Sequence, residues 1–409
     1  MNGILSSDSR AADLVERYES HVSDIYPISH QHVMAMQFPV LLKWLKENEP
    51  EQYKRIGYVL SNKDFIRYCL TGRILEERGD ASGNNLVNLQ TGSYDDRLFK
   101  FFGIEEMAQA MPQLVDATDQ CGTITAEASA HTGLAAGTPV YAGMFDIDAC
   151  AVATGVLDDK SFSVTAGTWN INVFPSTIPA PQEVGCMNSI FPDGSALVEA
   201  SSPTSAGNLD YILRMVLGES GKKIDYGELE GMLADSDARF TDVLFYPFLY
   251  GSNAKIDAEG CFIGVRSSTT RDQLIRSVYE GVAFAHRQHM EQLLKVLGHK
   301  PKSVRISGGA SNSQQWVQMF ADIWGIPVET VSGDELGGLG GAMCSAVGSG
   351  TYKDFNDAFQ HMSNVNHRFE PNTESAAIYD RKYAAYEAVM SGLNSVWTLL
   401  RTMQDFLER

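Results

Sequence analysis

Apolar residues in the first 125 positions recur mainly at helical spacing. In FPVLLKWLKENEPEQYKRI the side chains of Phe38, Leu41, Leu42 and Leu45 fall on one face. SNKDFIRYCLTG reads as a helix that starts at Ser61, a good N-cap residue, and stops at Gly72. From Gly137 the pattern changes. PVYAGMF is a strand-like run, followed by ACAVATGV, whose small side chains predict a closely packed helix. SFSVTAGTWNINVF, residues 161–174, alternates on both sides of a Gly-Thr turn and predicts a β-hairpin. GCMNSIFPDGSALVEAS predicts a second one, turning at Pro192-Asp193-Gly194. SVRISGGASNSQQWVQMFADIWG reads as strand, glycine turn and helix. Trp316, Met319, Phe320, Ile323 and Trp324 share its apolar face, and Ser313 is placed to cap it. VETV is a further strand, and GGLGGAMCSAVGSG a further small-residue helix. The class is α/β, with a boundary expected near 156–160.

The 409 residues suffice for two or three domains, and 44% hydrophobic with 20% charged residues is ordinary globular composition. No apolar run approaches the ~18 residues that span a bilayer, and the N-terminus has no basic-then-apolar signal pattern. A formal net charge of −19 repels nucleic acid and anionic membranes, so neither is an expected partner. Such a chain must hold a polyphosphate through local backbone dipoles and a metal ion. The six cysteines are scattered without a C-x-x-C pair, as free thiols in a reducing cytoplasm would be.

Three short stretches could carry chemistry. At Thr165-Ala166-Gly167-Thr168-Trp169, a glycine at a hairpin tip lets backbone N–H groups approach a phosphate, and Thr168 adds a hydroxyl; an ordinary turn fits the same residues. In Ile306-Ser307-Gly308-Gly309-Ala310-Ser311-Asn312, a Gly-Gly turn between strand and helix would aim the helix N-terminus at an anion or a nucleoside, or simply connect two elements. It lacks the third glycine of the dinucleotide fingerprint and the Gly-Lys-Ser/Thr of a Walker loop. In Gly143-Met144-Phe145-Asp146-Ile147-Asp148-Ala149, two carboxylates end a strand-like run before a helix. There they can take a proton from a hydroxyl and help hold a divalent cation, or merely cap the helix.

Other features point to structure. His286 and His289 stand i, i+3 on a helix without an evident carboxylate or cysteine partner, so a structural or surface role is expected. His30-Gln31-His32 reads as a loop, and Gly337-Gly338-Leu339-Gly340-Gly341 as a close helix contact. No Gly-x-Ser-x-Gly elbow occurs.

In combination, these stretches resemble the FGGY carbohydrate kinases over essentially the whole chain. LSNKDFIRYCLTG with GDASGNNL, TGLAAGTPVYAGMFD, VTAGTW, FYPFLYGSNA with GCFIGV, RSVYEGVAFAHRQHMEQL and ISGGASNSQQWVQMFADIWGIPVE occur in the family's order. ILSSDSRA, EASSPTSAGNLDY and PFLYGSNA are most similar to members that act on L-xylulose. The resemblance implies two ribonuclease H-like domains of the actin-like ATPase type, residues 1–157 on the sugar side and 158–409 on the nucleotide side, with the active site in the cleft between them. It implies ATP and Mg²⁺, a small sugar as substrate, and a cytoplasmic enzyme; family members often form homodimers. Asp146 matches the catalytic aspartate, general base and part of the metal site. Gly167 and Thr168 match the second phosphate motif, and Gly207 a position near the nucleotide. Gly308, Gly309 and Ala310 match the adenosine motif, with Asn312 beside them.

One departure from the family is plain. No Asp-x-Gly-Thr hairpin, the family's first phosphate motif, occurs in the chain. MNGILSSDSRA matches a region inside the family's first domain, which is therefore expected to be N-terminally truncated, with uncovered apolar faces and low stability, beside a complete second domain. A nucleotide-binding remnant without kinase activity is the competing expectation. An FGGY kinase for D-xylulose, L-ribulose or glycerol is another. A chaperone-type actin-like ATPase is disfavoured by EGVAFAHRQHMEQL and PFLYGSNA.

Overall fold

The computed structural model describes residues 3–5, 8–216, 224–252, 257–333 and 335–407. Ser6 and Ser7 of ILSSDSRA, and Asn253 and Ala254 of PFLYGSNA, lie outside them. The chain divides into two compact units. The first comprises Met1–Asp158, Phe174–Glu199 and Glu335–Ser363; the second comprises Asp159–Val173, Ala200–Asp334 and Asn364–Arg409.

The first unit opens with helices that bury their apolar faces against one another. Val40, Leu41, Leu42 and Leu45 of the helix Phe38–Asn48 join Tyr18, Ile25, Phe99 and Phe102 in one core, the chief source of its stability. Other apolar side chains of the unit stay uncovered, in line with the expectation: Phe65, Ile66 and Tyr68 of the helix Asn62–Thr71 are exposed, as are Tyr58, Leu134 and Ile178. That helix ends at Gly72, whose φ of 70° is the left-handed conformation a glycine C-cap supplies. Ser61 does not cap its start as expected: its hydroxyl donates to Asp64 Oδ2 at 2.6 Å. The small-residue helices predicted around 149 and 340 pack on each other. Gly340 lies so close to the carbonyl of Ala149 that no side chain fits between them.

Most strands of a seven-stranded sheet lie in the second unit. Its order is Val365–Phe369, Val328–Val331, Ser303–Ser307, Ser161–Ala166, Asn170–Ser176, Ala196–Ser202 and Met187–Ile190. Ser303–Ser307 pairs in parallel with Val328–Val331 and with Ser161–Ala166, while the two predicted hairpins are antiparallel. The helix Arg271–Leu297 begins with a capping box of Thr270 and Gln273 and ends at Gly298. Gly281 meets the carbonyl of Phe245 there, too close for a side chain. In the same helix Glu280, 1% exposed, bridges Arg276 at 3.0 Å and Lys382 at 2.5 Å.

Candidate active site

In the first unit, the strand Pro139–Tyr141 leads through Gly143 to the helix Asp146–Ala153. Asp146 is its first residue, and its Oδ1 accepts the Ile147 N–H at 2.9 Å. The carboxylate tip is open to solvent, yet protein crowds round it enough that desolvation raises its pKa; the Ile147 amide and the Lys63 charge oppose that rise.

Asp148 behaves differently from its neighbour. It is fully buried, and neither oxygen has a hydrogen-bond partner, so it is not the cap the sequence allowed. Burial, reinforced by repulsion from Glu77 and Asp80, drives its pKa well above the ordinary carboxylate range.

Lys63 organises the surroundings, reaching Asp64 at 3.2 Å, Asp80 at 3.5 Å and Glu77 at 3.6 Å. Burial works against its charge, but Glu77, Asp80 and Asp64 outweigh that and raise its pKa. Glu77 caps the short helix Arg78–Ser82 by accepting from Gly79 N at 2.6 Å and Asp80 N at 3.0 Å. Burial pushes its pKa up to about 7, against Lys63 and those amides. Lys63 and Asp80 stood in the segments LSNKDF and GDASGNNL without being singled out. Both segments are rich in polar residues, so nothing local marked these two charges.

The second unit brings together three stretches that lie far apart in sequence. The hairpin Ser161–Ala166 and Asn170–Ser176 pairs Ala166 with Asn170, leaving Gly167, Thr168 and Trp169 as its tip. Gly308 follows the parallel strand Ser303–Ser307 with φ 84° and ψ −176°, a conformation essentially reserved for glycine. A methyl group there would lie 2.8 Å from the carbonyl oxygen of Ala166 and 3.1 Å from Gly167 N. Gly207, at the start of the helix Ala206–Val216, stands over the same tip: a methyl group on it would lie 3.1 Å from Thr168 Cγ2. Gly167, Thr168, Gly207 and Gly308 thus form one small-residue surface of backbone and a single hydroxyl. A methyl on Gly309 would meet nothing within 4 Å, so its backbone is open to a ligand.

The expected anion site at the following helix is not open. Residues 309–312 form a 3₁₀ turn in which Ala310 is buried and Asn312 exposed. The helix Gln314–Trp324 begins after it, and Ser313 Oγ accepts from Trp316 N at 3.1 Å as predicted. Glu230 already fills the rest of that N-terminus, taking the Ser313 hydroxyl at 2.5 Å and the Gln315 N–H at 2.9 Å. The helix dipole is satisfied from inside the protein.

The profile of the N-terminal domain of the FGGY family of carbohydrate kinases matches residues 1–153, and that of its C-terminal domain matches residues 162–349. The chain belongs to the FGGY family of carbohydrate kinases. It is 34% identical over 396 residues to the L-xylulose/3-keto-L-gulonate kinase of Escherichia coli, covering 96% of this chain and 78% of that protein. To the probable L-xylulose kinase of Pasteurella multocida it is 33% identical over 398 residues, covering 96% and 80%. The solved gluconate kinase of Lactobacillus acidophilus superposes with a TM-score of 0.88 at 20% identity, over 98% of this chain and 81% of that one. That likeness carries the two-domain, actin-like ATPase fold. As an FGGY kinase the protein is an ATP-dependent phosphotransferase with an alcohol group as acceptor. Among the described residues no helix is long and apolar enough to cross a membrane.

Proposed function

We propose that this FGGY kinase transfers the γ-phosphoryl group of ATP to a terminal hydroxyl of a ketose, L-xylulose being the first candidate. Residues 1–157 serve the sugar and residues 158–409 the nucleotide. The observation that carries the nucleotide half is the meeting of Thr168, Gly207 and Gly308 on one small-residue surface, with the Gly309 backbone open beside it.

In this mechanism Asp146 accepts the proton of the sugar hydroxyl as the new O–P bond forms and the bond from Pγ to the β-phosphate oxygen breaks, releasing ADP. Its open tip suits a group that must reach a substrate. Desolvation raises its pKa, towards the range of an effective base. The Lys63 charge works against that rise, favouring the ionised form of Asp146. Asp148, fully buried, takes no part as a base.

Mg²⁺ in phosphoryl transfer is held mainly by substrate phosphates with one or two carboxylates. Asp146 is the exposed carboxylate at the start of its helix, and among the described residues no cluster of three or more His, Cys, Asp or Glu side chains forms a dedicated cage. The residues therefore fit a phosphate-carried ion touched by Asp146. When bound, it neutralises the charge that develops on the phosphoryl oxygens.

The test is coupled ADP release with Mg-ATP and a panel of L-xylulose, 3-keto-L-gulonate, D-xylulose, L-ribulose and glycerol. A marked preference for one ketose supports the proposal. ADP binding without turnover of any acceptor would favour a nucleotide-binding remnant instead.

A further inference from the structure

The two histidines of the helix Arg271–Leu297 are both buried, and they belong to one continuous chain of side-chain hydrogen bonds in the second unit. Its direction can be worked out from one amide. Asn172 Nδ2 lies 3.0 Å from the carbonyl of Ala200 and 2.6 Å from Asn170 Oδ1, both acceptors. Asn172 Oδ1 must then face His286 Nδ1 at 3.2 Å, so Nδ1 carries the proton and donates. That leaves His286 Nε2 to accept from the Ser205 hydroxyl at 2.9 Å.

The other branch reaches the second histidine. Asn170 Nδ2 donates to Thr204 Oγ1 at 3.2 Å, the Thr204 and Ser202 hydroxyls share a hydrogen bond at 2.7 Å, and Ser202 Oγ lies 2.8 Å from His289 Nε2. His289 Nδ1 is 2.8 Å from Gln292 Oε1. Burial lowers both pKa values, that of His289 to about 4, so neutrality is their ordinary state. Aromatic packing fixes the His286 ring from the side, edge-on to Phe320 at 5.3 Å.

The chain grips both flanks of one contact. Asn170 and Asn172 stand on the strand that leaves the 167–169 tip; Ser202, Thr204 and Ser205 lead into Gly207, which packs on Thr168. We propose that His286 and His289 are positioning residues for nucleotide binding: through Asn172 and Ser205, and through Ser202 and Thr204, they lock the Thr168 tip against the Gly207 turn. The inference rests on the nucleotide role proposed above for that contact. It replaces the surface or merely structural role that the i, i+3 spacing suggested.

The test is calorimetric titration of Mg-ADP into the full chain, wild type and variants, with KM for ATP and for the preferred ketose measured alongside. His286→Leu keeps the bulk and removes both hydrogen bonds. It is expected to weaken ADP binding and raise KM for ATP about tenfold, leaving KM for the ketose unchanged. His286→Gln, which restores one donor and one acceptor, should recover most of that loss. If His286→Leu does not fold, Ser205→Ala carries the test with the same expected split. Unchanged ADP binding in a folded variant overturns the inference, as does an equal loss of ATP and ketose affinity without recovery in the Gln variant. A wild-type chain that does not bind Mg-ADP overturns the nucleotide role itself, and the inference with it.

Discussion

Gly308 stands against Ala166 so closely that a single added methyl group would sit 2.8 Å from the alanine carbonyl oxygen. The two residues are 142 positions apart, Ala166 ending one strand and Gly308 following its parallel neighbour Ser303–Ser307. The contact joins the two stretches that the family resemblance matched to the phosphate and adenosine motifs, and it makes Gly308 irreplaceable for two separate reasons, space and backbone conformation.

Gly308→Ala should therefore cost about 1–3 kcal/mol in backbone strain alone, with a further penalty for the displaced hairpin tip, and should raise KM for ATP. Gly309→Ala, where nothing lies within 4 Å, should leave stability within about 0.5 kcal/mol. Any loss of nucleotide affinity in that variant reports on the ligand. Denaturant unfolding of both variants, paired with ATP kinetics, separates the two effects.

Glu280 is the carboxylate between Arg276 and Lys382, with almost no exposure. Burial alone raises its pKa, and the two cations hold that rise back. Glu280→Ala strands both cations in the interior, which typically costs about 3–5 kcal/mol. Thermal unfolding should show this as a fall in Tm far larger than that of an exposed control such as Glu51→Ala.

Glu77 gives a pH dependence whose sign is fixed. Its folded pKa, about 7, is above the unfolded 4.5, so the folded state binds more protons between those values. The stability it contributes is fully present below about pH 4.5 and is lost as pH rises towards 7. At about 1.4 kcal/mol per unit the loss is of the order of 3 kcal/mol. Glu77→Gln should flatten the decline between pH 5 and 7 in urea unfolding; an unaltered slope would show that Glu77 is ionised throughout.

Much of this was legible in the residues. Alternation marked the hairpins at 161–176 and 187–202, and small residues marked the helices that meet at Ala149 and Gly340, because side-chain size dictates how near two backbones can come. The site was legible only as separate pieces. Nothing local to Thr168 or Gly207 says that they touch, because that depends on how the sheet is ordered. Nor does the stretch 308–316 reveal that Glu230, some eighty positions upstream, occupies the helix N-terminus. Asp146 and Asp148 look equivalent in the sequence, and only the fold makes one exposed and the other fully buried. His286 and His289 were visible at the spacing of a metal pair, but their partners lie on two other elements.

The most direct test of the central claim is single-turnover kinetics of Asp146→Asn with Mg-ATP and the preferred ketose, beside calorimetric Mg-ADP binding. Asparagine keeps the size of the side chain and cannot take the proton. The account predicts a fall in phosphoryl transfer of about 10²–10⁴-fold with ADP affinity unchanged. Transfer at the wild-type rate would contradict it and remove Asp146 from the reaction.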